Sequence, residues 1–332
     1  MATAGNVYTG FNPDEELRIV LIGTTGSGKS SSANTILRQE VFKTDLSPCS
    51  VTSECSKARG VVKGCRLAVI DTPGIFDTKY KEEEVFRKLY ECISLSAPGP
   101  HVFLIVIRLS RFTVQEQKTV EFLRQVFGDK VAAYSMVLFT YGEELRNTTI
   151  EAFVSKCGKL SSLVADCHQR YHVFSNTVPD NRQVLQLLVK IKGIIRDNRG
   201  TCYTNAMFQE AERAIQERAM KIMKYNEKQK LREEEKLRAS LEGEQLKEGL
   251  KGLDEQYKIK SREKAEKKNK FIETGMIAPT AEVGMAIGVG VLAAGGPLCM
   301  AVGAVTGGVV GAAVGAFAPV AAKALKNKCS VQ

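Results

Sequence analysis

The sequence lacks the cysteine patterns of a zinc-binding or disulfide-bonded protein. Its nine cysteines are odd in number, include no CxxC pair and are irregularly spaced. Zinc sites and disulfide frameworks need paired, regular spacings. Reduced thiols in an intracellular protein are therefore expected. The three histidines also show no metal-ligand spacing.

Two further features are missing. Residues 1–13 are polar and contain no apolar run, so no secretory signal is expected. The net charge is +10, but the basic runs are not interleaved with the aromatic residues on which nucleic-acid bases stack. We therefore expect no nucleic-acid partner. With 332 residues, 44% of them hydrophobic, the chain can build one full domain with a sizeable core and substantial extra structure.

A phosphate-binding motif stands near the start of the chain. It reads Gly23-Thr24-Thr25-Gly26-Ser27-Gly28-Lys29-Ser30 and fits G-x-x-x-x-G-K-[S/T]. An apolar run of strand length precedes it at 17–22, and a helical pattern follows from Ser31. The backbone N–H groups of such a loop surround an anion at a helix N-terminus. These eight residues and Ser31 are candidate nucleotide ligands, with Lys29 on the β- and γ-phosphates and Ser30 on Mg²⁺.

A second motif narrows the class of nucleotide-binding protein. Asp71-Thr72-Pro73-Gly74 follows an apolar run at 66–70. Asp71 is placed to hold Mg²⁺, directly or through water, and Gly74 can bring a backbone N–H to the γ-phosphate. Loss of that phosphate would release the following segment. This motif, some forty residues after the first, predicts a GTPase.

A switch loop is expected between the two motifs. It needs a hydroxyl that completes the Mg²⁺ shell when a triphosphate is bound. The segment 50–55 offers three hydroxyl residues. Thr52 is the preferred candidate for this metal and catalytic role, with Ser50 and Ser53 as alternatives.

Strand and helix patterns alternate between residues 17 and 199. Strands are predicted at 17–22, 59–62, 66–70, 102–107, 134–140 and 171–174, and helices from 31 and at 81–94, 114–127, 151–159 and 182–196. Lys63-Gly64 reads as a hairpin turn, which makes one strand antiparallel. The predicted fold class is α/β, a doubly wound P-loop domain with a mostly parallel six-stranded sheet.

The character changes after residue 205. Residues 205–273 are highly charged, lack proline and carry apolar residues at helical spacing. They predict a long solvated helix or helices folded back on the first domain, with a coiled coil that binds a partner as the alternative. Gly243, Gly249 and Gly252 weaken the middle of this region.

The last part of the chain suggests membrane attachment. Residues 283–322 carry no formal charge and are rich in Gly, Ala and Val, with G-x-x-x-G spacing from Gly303 to Gly315. A single span, a re-entrant hairpin, a glycine-faced oligomer and a packed soluble hairpin all fit. Basic residues at 258–270 and 323–328 favour a hairpin with both ends cytosolic. Cys329 opens a possible prenylation box, although Ser330 is a poor aliphatic residue.

Four segments together resemble the immunity-associated GTPases, the GIMAP family with its AIG-type G domain. They are the first motif, Ser50-Val51-Thr52 with Cys55, residues 71–78, and the box at 101–113 that ends in Arg111-Phe112-Thr113. The similarity covers about residues 16–200. It implies a GTP- and GDP-binding domain with Mg²⁺ and a role in immunity.

The resemblance also locates the guanine site. Thr140-Tyr141-Gly142-Glu143-Glu144 stands where most GTPases carry N-K-x-D. Glu143 would accept hydrogen bonds from the guanine N1–H and exocyclic amine, which adenine lacks, with Glu144 as the alternative. Tyr141 could stack on the base. Asn176 matches the family position on the other face of the guanine.

Slow hydrolysis is expected. Ile75 occupies the position at which Ras-like GTPases use glutamine to orient water. The resemblance implies that Arg111 can act across a nucleotide-bridged dimer. The alternative is a surface or salt-bridged arginine.

These observations predict a guanine-nucleotide switch on the cytosolic face of an intracellular membrane, which pairs or oligomerises with GTP. A membrane scaffold without significant hydrolysis and a membrane-remodelling protein under G-domain control are the alternatives. The expected divisions are a flexible N-terminus (1–15), the G domain (16–200), a charged helical region (201–275), the apolar segment (276–322) and a basic tail (323–332).

Overall fold

The computed structural model describes residues 15–44, 52, 54–74, 82–110, 112–177 and 180–277. Six strands form one sheet: β1 (Leu17–Ile22), β2 (Ser56–Val62), β3 (Cys65–Asp71), β4 (Val102–Arg108), β5 (Ser135–Thr140) and β6 (Tyr171–Val173). Six helices lie between or after them: α1 (Lys29–Leu37), α2 (Glu82–Ser96), α3 (Val114–Phe127), α4 (Ile150–Ser155), α5 (Gly158–Asp166) and α6 (Asn181–Asp197). Three more follow: α7 (Ala206–Ser240), α8 (Gly243–Lys267) and α9 (Lys270–Ile277).

The sheet has the order β2-β3-β1-β4-β5-β6. β2 pairs antiparallel with β3, and every other pairing is parallel. Lys63 and Gly64 close the β2–β3 hairpin with φ values of 51° and 77°, the left-handed pair that matches strand twist in a two-residue turn. The predicted α/β fold class with its mostly parallel six-stranded sheet is confirmed.

The central strands are buried because helices cover both faces of a parallel sheet. All six residues of β1 and all six of β5 are buried. Within β1, Arg18 donates from Nε to the carbonyl of Gly99 at 2.6 Å, and its backbone N–H donates to His101 Nδ1 at 3.0 Å. Burial and the nearby Arg18 charge lower the pKa of His101 to about 3. His101 is therefore a neutral packing residue.

One predicted helix differs from the structure. The pattern at 151–159 predicts one helix, but two short helices, α4 and α5, occupy this region. Cys157 adopts an extended conformation between them, with φ −132° and ψ 107°. The second helix forms because Leu160, Leu163 and Val164 bury one face. The predicted single helix at 151–159 is therefore wrong in two respects: it misses the break at Cys157, and it ends before the end of α5 at Asp166.

The charged region forms a helical hairpin. Arg262 Nη2 lies 2.7 Å from Glu212 Oε2, and Lys230 Nζ lies 2.6 Å from Asp254 Oδ1. Contacts between residues 212 and 262 and between 230 and 254 make α7 and α8 antiparallel. As one of the predictions has it, α7 and α8 are folded back, and α8 contacts the first domain. Binding of a partner through a coiled coil stays a prediction.

A buried ion cluster attaches α8 to the edge of the sheet. Glu266, with 2% of its side chain exposed, lies 2.9 Å from Lys57 Nζ and 3.4 Å from Arg59 Nη2 of β2. Arg262 Nε lies 3.0 Å from the same carboxylate. Burial lowers the pKa of Lys57, and the Glu266 charge opposes that shift.

Helix α9 packs against α2. Phe271 meets the ring of Tyr90 edge-on, with 4.9 Å between centroids. Asn269 donates from Nδ2 to Ser94 Oγ at 2.8 Å. A Cβ at Gly275 would lie 2.5 Å from the Tyr90 ring, so only glycine allows this approach.

Two findings bear on thiols and membranes. The six cysteines among the described residues are free thiols. None of the helices in the described ranges has the length and hydropathy that a bilayer span requires. Residues 278–332, with the predicted apolar segment, basic tail and Cys329, lie outside the described residues.

Candidate functional site

The carboxyl ends of β1, β3, β5 and β6 meet at one edge of the sheet, where ligands bind in doubly wound folds. The loop Gly23–Ser30 leads from β1 into α1. Gly26 and Gly28 have φ values of 79° and 88°, which side chains rarely tolerate. A Cβ at Gly23 would lie 2.5 Å from the carbonyl oxygen of Val106. Glycine is therefore needed for both the turn and the close approach to β4.

Lys29 is buried in the centre of this loop. Its ammonium donates to the carbonyl oxygens of Gly23 and Thr24 at 3.0 and 2.8 Å. Burial lowers the pKa of Lys29 to about 8, and the Asp71 charge opposes the shift. The side chain thus curls over the loop, where a phosphate would meet a desolvated cation.

Three oxygen-bearing side chains meet beside Lys29. Ser30 Oγ donates to Asp71 Oδ2 at 2.6 Å and lies 3.1 Å from Thr52 Oγ1. Burial raises the pKa of Asp71, while hydrogen bonds from Ser30 and Thr52 and the Lys29 charge oppose that rise. All three residues predicted for the metal site are therefore brought together.

This cluster fits Mg²⁺. The metal prefers oxygen ligands and takes one or two carboxylates together with substrate phosphates. Asp71 Oδ1 is buried and has no hydrogen-bond partner among the described residues. A cavity of about 240 Å³ is lined in part by Thr52 and Asp71. One carboxylate and two hydroxyl groups next to a phosphate loop form a suitable donor set.

Gly74 lies directly on the phosphate loop. A Cβ at this position would be 2.3 Å from Thr25 Oγ1 and 2.9 Å from the Thr25 nitrogen. The hydroxyls of Thr25 and Ser27 are buried without a partner within the described ranges. Polar groups and close backbone approach at one place fit a polyanion such as a nucleotide phosphate chain.

The predicted base-recognition residues lie at the ends of β5 and β6. Tyr141 has a φ of 59°, and the Arg108 guanidinium lies 3.9 Å from its ring centroid. Glu143 is exposed and accepts a hydrogen bond from Thr177 Oγ1 at 3.2 Å. Burial acts to raise the pKa of Glu143, but its hydrogen bonds and the Arg108 charge lower it. Glu144 lies 3.4 Å from Arg108.

Asn176 is fixed against α1. Its Oδ1 accepts from Thr35 Oγ1 at 2.9 Å, and its Nδ2 donates to Ser32 Oγ at 3.2 Å. The Thr35 hydroxyl has one proton, which the Asn176 oxygen shares with the carbonyl of Ser31, also 2.9 Å from Thr35 Oγ1. Both ends of the Asn176 amide are therefore engaged, which places the loop after β6 beside the first turns of α1.

Two hydrogen bonds at this site were not predicted from the sequence. Thr140 donates from Oγ1 to the carbonyl of Ser27 at 2.7 Å. Thr24 donates from Oγ1 to Glu116 Oε1 at 3.1 Å. The T-x-x-E spacing of Thr113 and Glu116 signals a capping box, but not the contact with the phosphate loop.

Four residues of the predictions cannot be placed. Ser50, Ser53, Ile75 and Arg111 lie outside the described residues. The catalytic role of Arg111 stays a prediction.

The sequence of this chain is similar to those of known nucleotide-binding proteins. The family model "AIG1 family" matches residues 17–223. Immune-associated nucleotide-binding protein 9 of Arabidopsis thaliana is 34% identical over 220 residues, covering 64% of this chain and 63% of the relative. Human GTPase IMAP family member 8 is also 34% identical, over 57% of this chain and 29% of its own length. The chain thus spans less than two thirds of these relatives.

The solved structures include Toc33 from Arabidopsis thaliana in complex with GDP and Mg²⁺. It is 18% identical, with a TM-score of 0.45, and the match covers 57% of this chain and 88% of that chain.

Because the family model covers more than half of the sequence and includes all the described nucleotide-site residues, the chain belongs to the AIG1 family.

Proposed function

We propose that this chain binds GTP and GDP with Mg²⁺ and that the nucleotide controls self-association. One observation carries the proposal: Lys29, Ser30, Thr52 and Asp71 converge beside a glycine-rich phosphate loop. Lys29 would hold the phosphates, while Ser30, Thr52 and Asp71 would hold the metal. Mg²⁺, when bound, supplies charge neutralisation at the phosphates.

Guanine selection is proposed for Glu143. A carboxylate accepts from the N1–H and the exocyclic amine of guanine, and adenine has neither donor at those positions. Glu143 lies at the end of β5, and its lowered pKa keeps it ionised at neutral pH. Glu144 is turned to Arg108.

We expect Glu143→Ala to weaken GTP binding by on the order of 100-fold, since each hydrogen bond to a charged group contributes about 1.5–3 kcal/mol. Inosine triphosphate, which lacks the exocyclic amine, should bind the wild-type protein less tightly than GTP does. The variant should bind inosine triphosphate and GTP with about equal affinity. Competition against a fluorescent GTP analogue measures the affinity ratio of GTP to inosine triphosphate for each protein, with ATP as the negative control. Glu144→Ala is the matched control. If that variant loses GTP selectivity and Glu143→Ala keeps it, the assignment moves to Glu144.

Hydrolysis is proposed to be slow in the isolated chain and faster when two copies meet. The support is sequence-based: Ile75 replaces the water-orienting glutamine, and Arg111 lies in the box at 101–113. An arginine from a second copy would stabilise the charge on the transferring phosphoryl group. The immunity role implied by the resemblance is part of the same proposal.

The location is proposed to be the cytosolic face of an intracellular membrane, on the basis of residues 283–322 and their basic flanks. One sedimentation series tests assembly and location together. It uses the full chain and a chain ending at residue 277, each with GDP or a non-hydrolysable GTP analogue. The analogue should increase the sedimentation coefficient of both, and anionic liposomes should pellet only the full chain.

Other results of these measurements would contradict the proposal. Identical sedimentation with both nucleotides would remove the assembly step. Equal behaviour of the two chains with liposomes would remove the membrane step. In a separate assay with GTP, turnover per molecule that does not rise with protein concentration would argue against an arginine in trans.

A further inference from the structure

One carboxylate joins the phosphate loop to the start of α3. Glu116 Oε1 accepts from the hydroxyl of Thr24 at 3.1 Å. The other oxygen, Oε2, accepts from the backbone N–H of Thr113 at 2.8 Å and also contacts the Thr113 hydroxyl. Thr24 is buried, with 6% of its surface exposed. Both oxygens are therefore used, one on each side of a link that spans 92 residues of sequence.

The phosphate-loop end of this link is itself in contact with Lys29. The carbonyl oxygen of Thr24 accepts from Lys29 Nζ at 2.8 Å, while its hydroxyl donates to Glu116. A lysine ammonium has three donors. When phosphates take up some of these donors, the hydrogen bonds to the loop carbonyls must be redistributed. Thr24 is the residue at which that redistribution reaches a second element of the fold.

The α3 end of the link controls how the helix begins. Thr113 is the N-cap of α3, its Oγ1 accepts from the Gln115 N–H at 3.2 Å, and Glu116 completes the capping box. Val114, the first residue of the helix, is 63% exposed. A shift of Glu116 would therefore change the conformation of the segment that enters α3 and the surface presented there.

We propose that Glu116 is a positioning residue that couples the nucleotide state of the phosphate loop to the entry of α3, and through it to self-association of this chain. The inference rests on the proposed nucleotide-dependent pairing and names the contact that transmits it. Coupling of this kind typically changes an equilibrium constant by about 5–150-fold. The pair Thr24–Glu116 supplies it because neither residue can move without breaking a part-buried hydrogen bond.

A purely structural role gives a different result. If Glu116 served only the capping box, its loss would lower the melting temperature and leave the nucleotide dependence of self-association unchanged. Thr113→Val is the control for capping. It removes the hydroxyl that caps the helix and contacts Glu116 Oε2, but it leaves the Thr24–Glu116 contact and the hydrogen bond from the Thr113 N–H to Glu116 Oε2. Thr24→Val removes the hydroxyl that donates to Glu116.

The experiment uses the full chain. Sedimentation velocity gives the self-association constant with a non-hydrolysable GTP analogue and with GDP, and the ratio of the two constants is the coupling. Titration with a fluorescent GTP analogue gives nucleotide affinity, and thermal melting gives stability. We expect Glu116→Ala to reduce the ratio by at least tenfold, with GTP affinity within about threefold of wild type. Thr24→Val should reduce the ratio of association constants to the same extent, while Thr113→Val should keep the wild-type ratio.

Each outcome decides one question. If Glu116→Ala keeps the wild-type ratio, or if Thr113→Val loses it to the same extent, the link has only a capping role and the inference is wrong. If the wild type binds GTP but shows a ratio of one, the proposed nucleotide control of self-association is wrong and Glu116 has no coupling to transmit, although nucleotide binding stands. If the wild type binds no guanine nucleotide, the proposed function fails instead.

Discussion

Replacing Lys29 with methionine should lower GTP affinity by about 10³-fold. Methionine keeps the length and apolar stem of lysine but removes the ammonium. In this structure the ammonium is buried and points back over the loop to the carbonyls of Gly23 and Thr24. Removing one partner of a buried, hydrogen-bonded charge pair costs about 2–5 kcal/mol or more, and a factor of 10³ corresponds to about 4 kcal/mol.

The affinity is best measured by titration with a fluorescent GTP analogue, with circular dichroism to confirm folding. Lys130→Met, in the exposed turn at Asp129–Tyr134, removes the same charge far from the loop and should leave affinity unchanged. If Lys29→Met bound GTP as tightly as that control, the nucleotide would have to sit elsewhere.

Lys29 also predicts a pH dependence. Because burial lowers its pKa to about 8, part of the nucleotide-free protein carries a neutral Lys29 above that pH. Phosphates bind the charged form and raise its pKa in the complex, so binding takes up a proton. GTP affinity should then fall as pH rises above about 8, by up to tenfold per pH unit. Calorimetry in two buffers of different ionisation enthalpy detects the proton uptake. A GTP affinity that does not change between pH 8 and pH 10 would contradict this prediction.

The second large effect concerns stability. Glu266→Ala should lower the free energy of unfolding by about 3–5 kcal/mol, the usual cost of removing one partner of a buried ion pair. Lys57, with 4% of its side chain exposed, would lose its contact at 2.9 Å and keep only the longer one to Glu16, at 3.7 Å. Arg59 and Arg262 would each lose one of their carboxylate partners as well. Urea denaturation followed by circular dichroism measures the change.

Glu263→Ala is the control for this prediction. Glu263 also contacts Arg59, at 2.8 Å, but 44% of its side chain is exposed, so its loss should cost less than about 1 kcal/mol. A double replacement, Lys57→Met with Glu266→Leu, should recover most of the stability because no unpaired buried charge remains. Equal losses for Glu263→Ala and Glu266→Ala would mean that burial does not govern this cluster.

The parts of the fold that the sequence predicts are those encoded locally. The phosphate loop needs glycines at fixed offsets and a strand and helix beside it, all within about twenty residues. Apolar runs of strand length identify β1, β4 and β5, because buried parallel strands are apolar throughout. The Lys63-Gly64 turn then predicts the antiparallel pairing of β2 with β3.

Contacts between distant residues could not be predicted. Lys57 and Glu266 are 209 positions apart, and Thr24 and Glu116 are separated by 92. Their charges and hydroxyls resemble those of many exposed residues, and only the tertiary fold buries them. The end of the 151–159 helix was misplaced for a related reason, since Leu160 and Leu163 are in α5 through packing and not through a strong local signal.

The ion cluster on β2 has a consequence for how copies of this chain can meet. An edge strand offers unpaired backbone groups to other strands, and charged side chains or a covering helix prevent edge-to-edge aggregation. β2 is one edge of the sheet, and Lys57 and Arg59 attach it to α8. β6, at the other edge, is only three residues long. With both edges protected, the sheet gives little opportunity for extension by a second molecule. The proposed self-association would therefore use helices and loops, and not the strand pairing that makes aggregates hard to dissolve.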